Sequence, residues 1–224
     1  LSGKMSEIKA RKIGLNYSGI TVANYEKFQK MFPDAKFMDI SKTIQELRSK
    51  KTPEEVSRIS RACRITSAVY QAVISQLSTG KFFSADKLNT EQAVASFLET
   101  EIKAKNAEAA FPTIIAMGKN AAIPHHVTNS SRLKRGFLIM DFGARYKNYC
   151  ADMTRTVFLG KPTPQEITYY NLLLHCQQST IEQIKANKSF CQLNDHAKKD
   201  LGKYSNKFIH SLGHGIGIEV HEAP

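Results

Sequence analysis

Apolar positions along the chain recur with two periods. Between Thr52 and Gly80, Val56, Ile59, Cys63, Val73, Ile74 and Leu77 predict one long helix with a single buried face. Its start is marked by Thr52 as cap, Pro53 in the first helical position and Glu54 and Glu55 at the positive end of the dipole, and its stop by Gly80. A second helix, from about Thr90 to Lys105, turns Val94, Phe97, Leu98 and Ile102 inward. Thr163, Pro164 and Glu166 repeat the starting device and open a long helix to about Ala186, and a fourth helix covers about Gln192 to Tyr204. Nearer the beginning, Lys12 to Leu15, Thr21 to Met31 and Lys36 to Ile40 read as strand, helix and strand, a unit too short to enclose a core of its own. Long helices around an antiparallel sheet make an α+β domain.

The strand period is clearest from Gly136 to Gly160, GFLIMDFGARYKNYCADMTRTVFLG. Phe137 to Met140 is a short apolar run, as in a buried strand, while Asp152, Thr154 and Thr156 alternate with Met153 and Val157. If the polar patch between them turns back on itself, the strands are antiparallel neighbours. The midpoint of Asp141 and Asp152 lies between Tyr146 and Lys147, and a turn there sets the two carboxylates directly across the ladder, with Cβ atoms about 4.5–5.5 Å apart. Carboxylates that close repel unless a proton or a metal ion lies between them. The bland alternative is that each aspartate bonds amides of the turn.

Two further segments carry imidazoles. FIHSLGHGIGIEVHEAP, from Phe208, threads His210, His214 and His221 through Gly213, Gly215 and Gly217, where the backbone can approach a ligand or another strand closely. In extended form His210 and His214 share a face and His221 points away, so a bend or bulge at a glycine is needed to bring it back. FPTIIAMGKNAAIPHHVTNS, from Phe111 to Ser130, runs from an apolar strand signal through a Gly-Lys-Asn turn to His125 and His126, and a solvated loop would explain it equally.

In order, in spacing and nearly residue for residue, the three segments resemble the creatinase and aminopeptidase metallohydrolases of the pita-bread fold. The resemblance is closest to the proline-specific members, the Xaa-Pro dipeptidases (prolidases) and Xaa-Pro aminopeptidases, and it spans about Arg48 to Pro224. It implies that Asp141, Asp152 and His214 are metal ligands, Asp152 bridging two divalent ions, and that His125, His210 and His221 are catalytic histidines that position substrate and handle protons. No role is carried onto His126, which falls where relatives vary. The family completes its site with two glutamates C-terminal to the last histidine motif. Glu219 and Glu222 sit too close to His221 to be these, so the two expected ligands lie beyond Pro224, in a chain that is a fragment or a degenerate relative. As written, 224 residues should not hold two metals tightly. Oxygen-rich ligation with one imidazole favours manganese or cobalt, with iron or zinc as alternatives.

The same resemblance divides the chain. Residues 1–47 are expected to be the tail of an α/β, ribonuclease-H-like N-terminal domain, ending in its last βαβ portion. Residues 48–224 are expected to be the pita-bread catalytic domain, truncated at its C-terminal end. The reaction implied is hydrolysis of an Xaa-Pro bond, dipeptidase slightly ahead of aminopeptidase. The alternatives are a metal-free relative acting as a binding or scaffolding module, or a methionine aminopeptidase, which usually lacks the partial N-terminal domain. Creatinase itself does without metals, and the intact Asp141, Asp152 and His214 set argues against it.

Composition changes this picture little. Hydrophobic residues make up 42% of the chain, enough for a sizeable core, and no apolar run approaches a membrane span. The opening LSGKMSEIKARK has the charge of a signal peptide's first region without the apolar stretch that should follow. Cys63, Cys150, Cys176 and Cys191 show no CxxC spacing and read as reduced thiols of a cytoplasmic protein, with Cys150 a small packing residue. The net charge of +12 is scattered among acids, as in RSKKTPEEVSR, and makes no basic stripe interleaved with aromatics, so no nucleic-acid partner is expected. A homodimer is expected from the family.

Overall fold

The computed structural model describes residues 10–78 and 88–223. The Gly80 stop signal therefore lies outside the described residues.

The first unit is β1 (Lys12–Leu15), α1 (Val22–Met31) and β2 (Lys36–Asp39), with the two strands parallel and Lys12 opposite Lys36. This is the βαβ arrangement that the sequence predicts. Thr21 caps α1 by accepting from the Asn24 amide, yet no α1 residue is fully buried, in line with a unit that lacks its own core. A short helix, α2 (Ser41–Ser49), leads out of it.

The long helix α3 (Pro53–Ser78) begins as predicted. The Thr52 hydroxyl accepts from the Glu55 amide at 3.3 Å, and the Glu55 carboxylate accepts from the Thr52 amide at 2.7 Å. Its buried face differs from the expected one, being Ala62, Ile65, Thr66, Val69, Val73 and Leu77. Val56 is half exposed and Cys63 faces outward, because small Ala62 and hydroxyl-bearing Thr66 carry the stripe that packs on the sheet. The Thr66 hydroxyl explains its own burial, donating to the Ala62 carbonyl and accepting from the Ala144 amide.

Helix α4 (Glu91–Ala104) buries Val94, Leu98 and Ile102 completely and packs Phe97 against the same core, as predicted. These helices cover a three-stranded antiparallel sheet of β4 (Ile114–Met117), β5 (Gly136–Phe142) and β8 (Met153–Leu159), with β5 in the centre. The core between them is Leu138, Met140 and Phe142 of β5, Ile115 of β4 and the inner faces of α3 and α4. A smaller sheet of β3 (Glu108–Ala109), β6 (Ala144–Tyr146) and β7 (Tyr149–Cys150) prolongs the hairpin beyond Gly143. Helix α5 (Pro164–Glu182) ends four residues before the predicted Ala186. It packs on α6 (Phe190–Leu201) through Cys176, Ala197 and Leu201, and the tail of the predicted fourth helix, Gly202–Lys207, is 3-10. None of the described helices is long and apolar enough to cross a membrane.

Candidate active site

The hairpin turns one residue later than the sequence suggests. Lys147 and Asn148, both at positive φ (47° and 67°), form the two-residue loop of a type I′ hairpin, whose twist matches that of its strands. Asp141 therefore faces Thr154 rather than Asp152. Moving the turn by one residue moves every partner by two, so Asp152 keeps the face of Asp141 and lies diagonal to it. The continuation past β5 requires Gly143, because a Cβ there would lie 1.8 Å from the Ala151 carbonyl oxygen.

The two carboxylates are poorly compensated. Burial pushes the Asp141 carboxyl above its usual range, a hydrogen bond of 2.8 Å from the Thr154 hydroxyl opposes that, and the Asp152 charge adds to it. Burial also raises Asp152, with His214 and His221 opposing. The Asp152 side chain is only 24% exposed, and its oxygen lies 3.4 Å from His214 Nε2.

His214 and His221 come together because their segment folds back. The Gly215 amide donates to the Glu222 carbonyl and the Glu222 amide to the Gly215 carbonyl, both at 2.9 Å, and the Gly217 amide donates to the Glu219 carbonyl. The reversal at Gly217–Glu219 is the bend foreseen at a glycine, and it brings the His214 and His221 rings together, tilted by 46° with centroids 4.1 Å apart. A Cβ at Gly215 would lie 2.4 Å from the Ala223 carbonyl oxygen, and one at Gly217 would strike the Glu222 carboxylate. The segment is fastened to the hairpin through Cys150, whose amide donates to the Gly217 carbonyl at 2.7 Å while its thiol meets the Ile218 carbonyl. Cys150 is fully buried, the packing residue that was expected. On the other side, Arg48 (2.6 Å) and Lys51 (3.1 Å) hold the Glu222 carboxylate, whose side chain is 5% exposed.

His125 is exposed on the loop after β4 and close enough to Asp141 to favour its ionised form. His210 does not join this group. It packs on Phe208 with ring centroids 4.6 Å apart and its Nδ1 meets the Ser211 carbonyl, and among the described residues no hydrogen bond, ion pair or ring contact links it to Asp141, Asp152 or His214. The extended form that would pair His210 with His214 is replaced by the hairpin that pairs His214 with His221.

The donor set suits a divalent cation. His214 Nδ1 lies 3.0 Å from the Gly215 carbonyl, which can only accept, so Nδ1 carries a proton and Nε2 is the ring atom left to face Asp152. Between Nε2 and the carboxylate, with a second partly buried carboxylate nearby, the arrangement takes a positive centre, a proton on the ring or a cation. The carbonyl bond behind the ring is the orienting partner that metal-bound histidines usually have. Even so, among the described residues no three His, Cys, Asp or Glu side chains gather closely enough to hold an ion.

Comparisons with known proteins identify the family. Residues 57–224 match the model of metallopeptidase family M24, and residues 2–50 match that of the creatinase/prolidase N-terminal domain. The chain belongs to the M24 metallopeptidase family. Among relatives of this M24 chain, the Xaa-Pro dipeptidase of Pyrococcus furiosus is 36% identical over 203 residues, 89% of this chain and 56% of that protein. The Xaa-Pro dipeptidase of Lactobacillus delbrueckii subsp. lactis is 34% identical over 214 residues, 92% of this chain and 56% of the relative. Solved structures agree in fold: the prolidase from Pyrococcus furiosus superposes with a TM-score of 0.87 at 32% identity, over 99% of this chain and 64% of that one. The X-Pro aminopeptidase from Thermotoga maritima MSB8 gives 0.86 at 29% identity, over 99% and 62%. The M24 chain thus spans a little over half the length of the curated relatives it matches. Its fold is the pita-bread fold of the family, preceded by a segment that matches the N-terminal domain, and the family is one of divalent-metal-dependent peptidases.

Two buried glutamates hold the segments that carry the site's histidines, and nothing in their local sequence announces them. Glu91 reads as an ordinary acid in a helix's first turn, and Glu222 as one more charge beside His221. Their partners lie 26 to 38 residues away for Glu91 and 171 to 174 away for Glu222, apart from a nearby amide, so only the fold brings them together.

Proposed function

We propose that this chain carries the aspartate-and-histidine part of a dinuclear metal site that hydrolyses Xaa-Pro peptide bonds, in a dipeptidase slightly before an aminopeptidase. The observation that carries the reading is that Asp141 and Asp152 share one face at the end of the β5–β8 hairpin, with His214 Nε2 3.4 Å from the Asp152 carboxylate and only the Thr154 hydroxyl donating to Asp141. In this reading Asp141, Asp152 and His214 hold the metals, Asp152 reaching both, while residues 1–47 and 48–224 are the two domains. Manganese or cobalt is the metal proposed, iron or zinc the alternative, in a cytoplasmic homodimer.

Proline removes the N–H of the scissile amide and fixes its own φ, so gripping the substrate backbone by hydrogen bonds engages such a bond poorly. Two bound divalent ions would supply a polarised carbonyl and an acidified water. The chain's own residues do the rest. Thr154 orients the Asp141 carboxylate, the Gly215 carbonyl keeps a His214 proton on Nδ1, and His221, tilted against His214, is the imidazole assigned to hydrogen-bond the substrate. His125, exposed beside Asp141, can hydrogen-bond the tetrahedral centre or pass a proton to the leaving nitrogen. His210 is assigned a supporting place at substrate distance, from the family resemblance alone.

Assaying the full-length protein with manganese or cobalt on an Xaa-Pro dipeptide and on a longer Xaa-Pro peptide tests the reading. Turnover abolished by chelation and restored by metal is expected, and its absence with both substrates would refute it. A second reading, a metal-free binding module, draws on the lack of a ready three-donor cluster among the described residues, and the same assay separates the two.

A further inference from the structure

We propose that Glu91 is a positioning residue, which holds the loop after β4 so that His125 stays beside Asp141. The inference rests on the role given to His125 above. It starts from a buried charge that the chemistry leaves unused. An acid in the first turn of a helix is normally solvated, yet Glu91 is fully buried.

Its carboxylate is saturated by one stretch of chain. Oε1 accepts from the Met117 amide and the Asn120 side-chain amide, both at 2.8 Å. Oε2 accepts from His126 Nε2 at 2.8 Å and from the Asn129 amide at 3.4 Å. Burial alone would raise the Glu91 carboxyl, but these donors outweigh it and keep the group below its ordinary value, so it stays an anion. Backbone bonds close the grip, the Glu91 amide donating to the Ser131 carbonyl and the Gln92 amide to that of Asn129, both at 3.0 Å.

All four side-chain-directed donors come from the segment between Met117 and Asn129, the end of β4 and the loop that carries His125. His126 turns inward to Glu91 and is buried, while its neighbour His125 is exposed and near enough to Asp141 to favour that carboxyl's ionised form. One imidazole is thus an anchor and the adjacent one is free to act. A glutamine at position 91 would set its NH2 group against a backbone N–H that can only donate, that of Met117 or that of Asn129, and although Asn120 and His126 can each turn an acceptor toward it, the loop would have to shift to relieve that backbone clash. A shift of an ångström at a substrate-positioning group costs about 100-fold in rate.

The test is a double-mutant cycle in full-length protein, with an NMR readout beside the rates. Glu91→Gln is expected to lower kcat about 10- to 100-fold with little change in KM, and His125→Ala to do the same. The double variant should lose no more than about twofold beyond His125→Ala, because the two changes remove one function. Losses that multiply would overturn the proposal. In zinc-loaded, histidine-labelled protein, Glu91→Gln should shift the His125 ring resonances and leave those of His210 in place, and an unmoved His125 ring would overturn it as well. If the wild type shows no metal-dependent hydrolysis, the functional reading fails and the ring resonances still decide the positioning. Should Glu91→Gln not fold, His126→Gln, which leaves Glu91 its other three donors, enters the same cycle with the same expected results.

Discussion

Gly143→Ala is the sharpest test of how the hairpin sets the site. The added Cβ would stand 1.8 Å from the Ala151 carbonyl oxygen, 2.7 Å from its carbon and 3.2 Å from Asp152 Cα. All three are backbone atoms, so no side chain can swing aside. Ordinary contact needs a retreat of roughly 1.5 Å or more. That retreat strains the bonds on either side, from the Ala110 amide to the Gly143 carbonyl and from the Ala151 amide to the Ala144 carbonyl, each 2.8 Å. Overpacking costs about 1–3 kcal/mol and each weakened hydrogen bond about 1 kcal/mol more. A destabilisation of about 2–5 kcal/mol is therefore expected, a fall in Tm of roughly 5–15 °C for a chain of this size. Because Asp152 Cα is among the atoms displaced, metal affinity should fall along with stability. Thermal unfolding by circular dichroism, paired with calorimetric metal titration of the full-length protein, measures both. A variant that melts within 2 °C of wild type and binds metal unchanged would refute the claim that this glycine sets the diagonal of Asp141 and Asp152.

Other outcomes follow from the same contacts. Asp152→Ala should abolish metal-dependent turnover, by about a thousandfold or more if the carboxylate serves two ions, with Tm nearly unchanged because the lost charge is poorly compensated; an active, metal-loaded variant would show the hairpin misread. Glu222→Gln leaves Lys51 without its anion and Arg48 with only the exposed Glu219, at 3.3 Å, and should cost about 2–3 kcal/mol in urea unfolding, below the value for a fully buried pair because Arg48 is 29% exposed; an unmoved midpoint would remove Glu222 as the anchor of the His221 turn. Glu166 is held down to about 2 by the hydrogen bonds of the Arg135 guanidinium, with the Thr163 amide and hydroxyl adding to them. Its folded value lies below the ordinary 4.5, so its stabilisation is present above that value and disappears as pH falls toward 2. The Tm gap between wild type and Glu166→Gln should be constant near neutrality and close across that window, and a gap that persists at the acid end would contradict the pairing.

Element types were legible because local signals agreed with the fold. The Thr-Pro-acid starts at Thr52 and Thr163, the βαβ unit and the three buried positions of α4 all lie where the periodicity puts them. Two features were not legible. The turn of the hairpin is set by Asn148 and Lys147 both accepting positive φ, a pairing that no tight-turn dipeptide of the usual Asn-Gly kind announces. The buried face of α3 runs through Ala62 and Thr66, which a search for large apolar residues passes over. At the site, the residue types were visible but their grouping was not. His210 and His214 stand four apart and part company, while His214 and His221 stand seven apart and meet, because Gly217 allows the chain to reverse around the Glu222 carboxylate.

Four carboxylates in or against the site separate into two kinds, and that difference explains where chemistry belongs. Glu91 takes four N–H donors, and Glu222 takes Arg48, Lys51 and the Glu219 amide. Both are held below their ordinary range despite burial, and both act as fasteners, one for the His125 loop and one for the His221 turn. Asp141 and Asp152 have one hydroxyl and one imidazole between them at close range, and burial lifts both above the ordinary range. Asp141 and Asp152 are the acids left with little compensation, which is why the proposed reading gives them to the metals. On that reading the fasteners bring His125 toward Asp141 and His221 toward Asp152, so cation and substrate would meet between the two anchored segments.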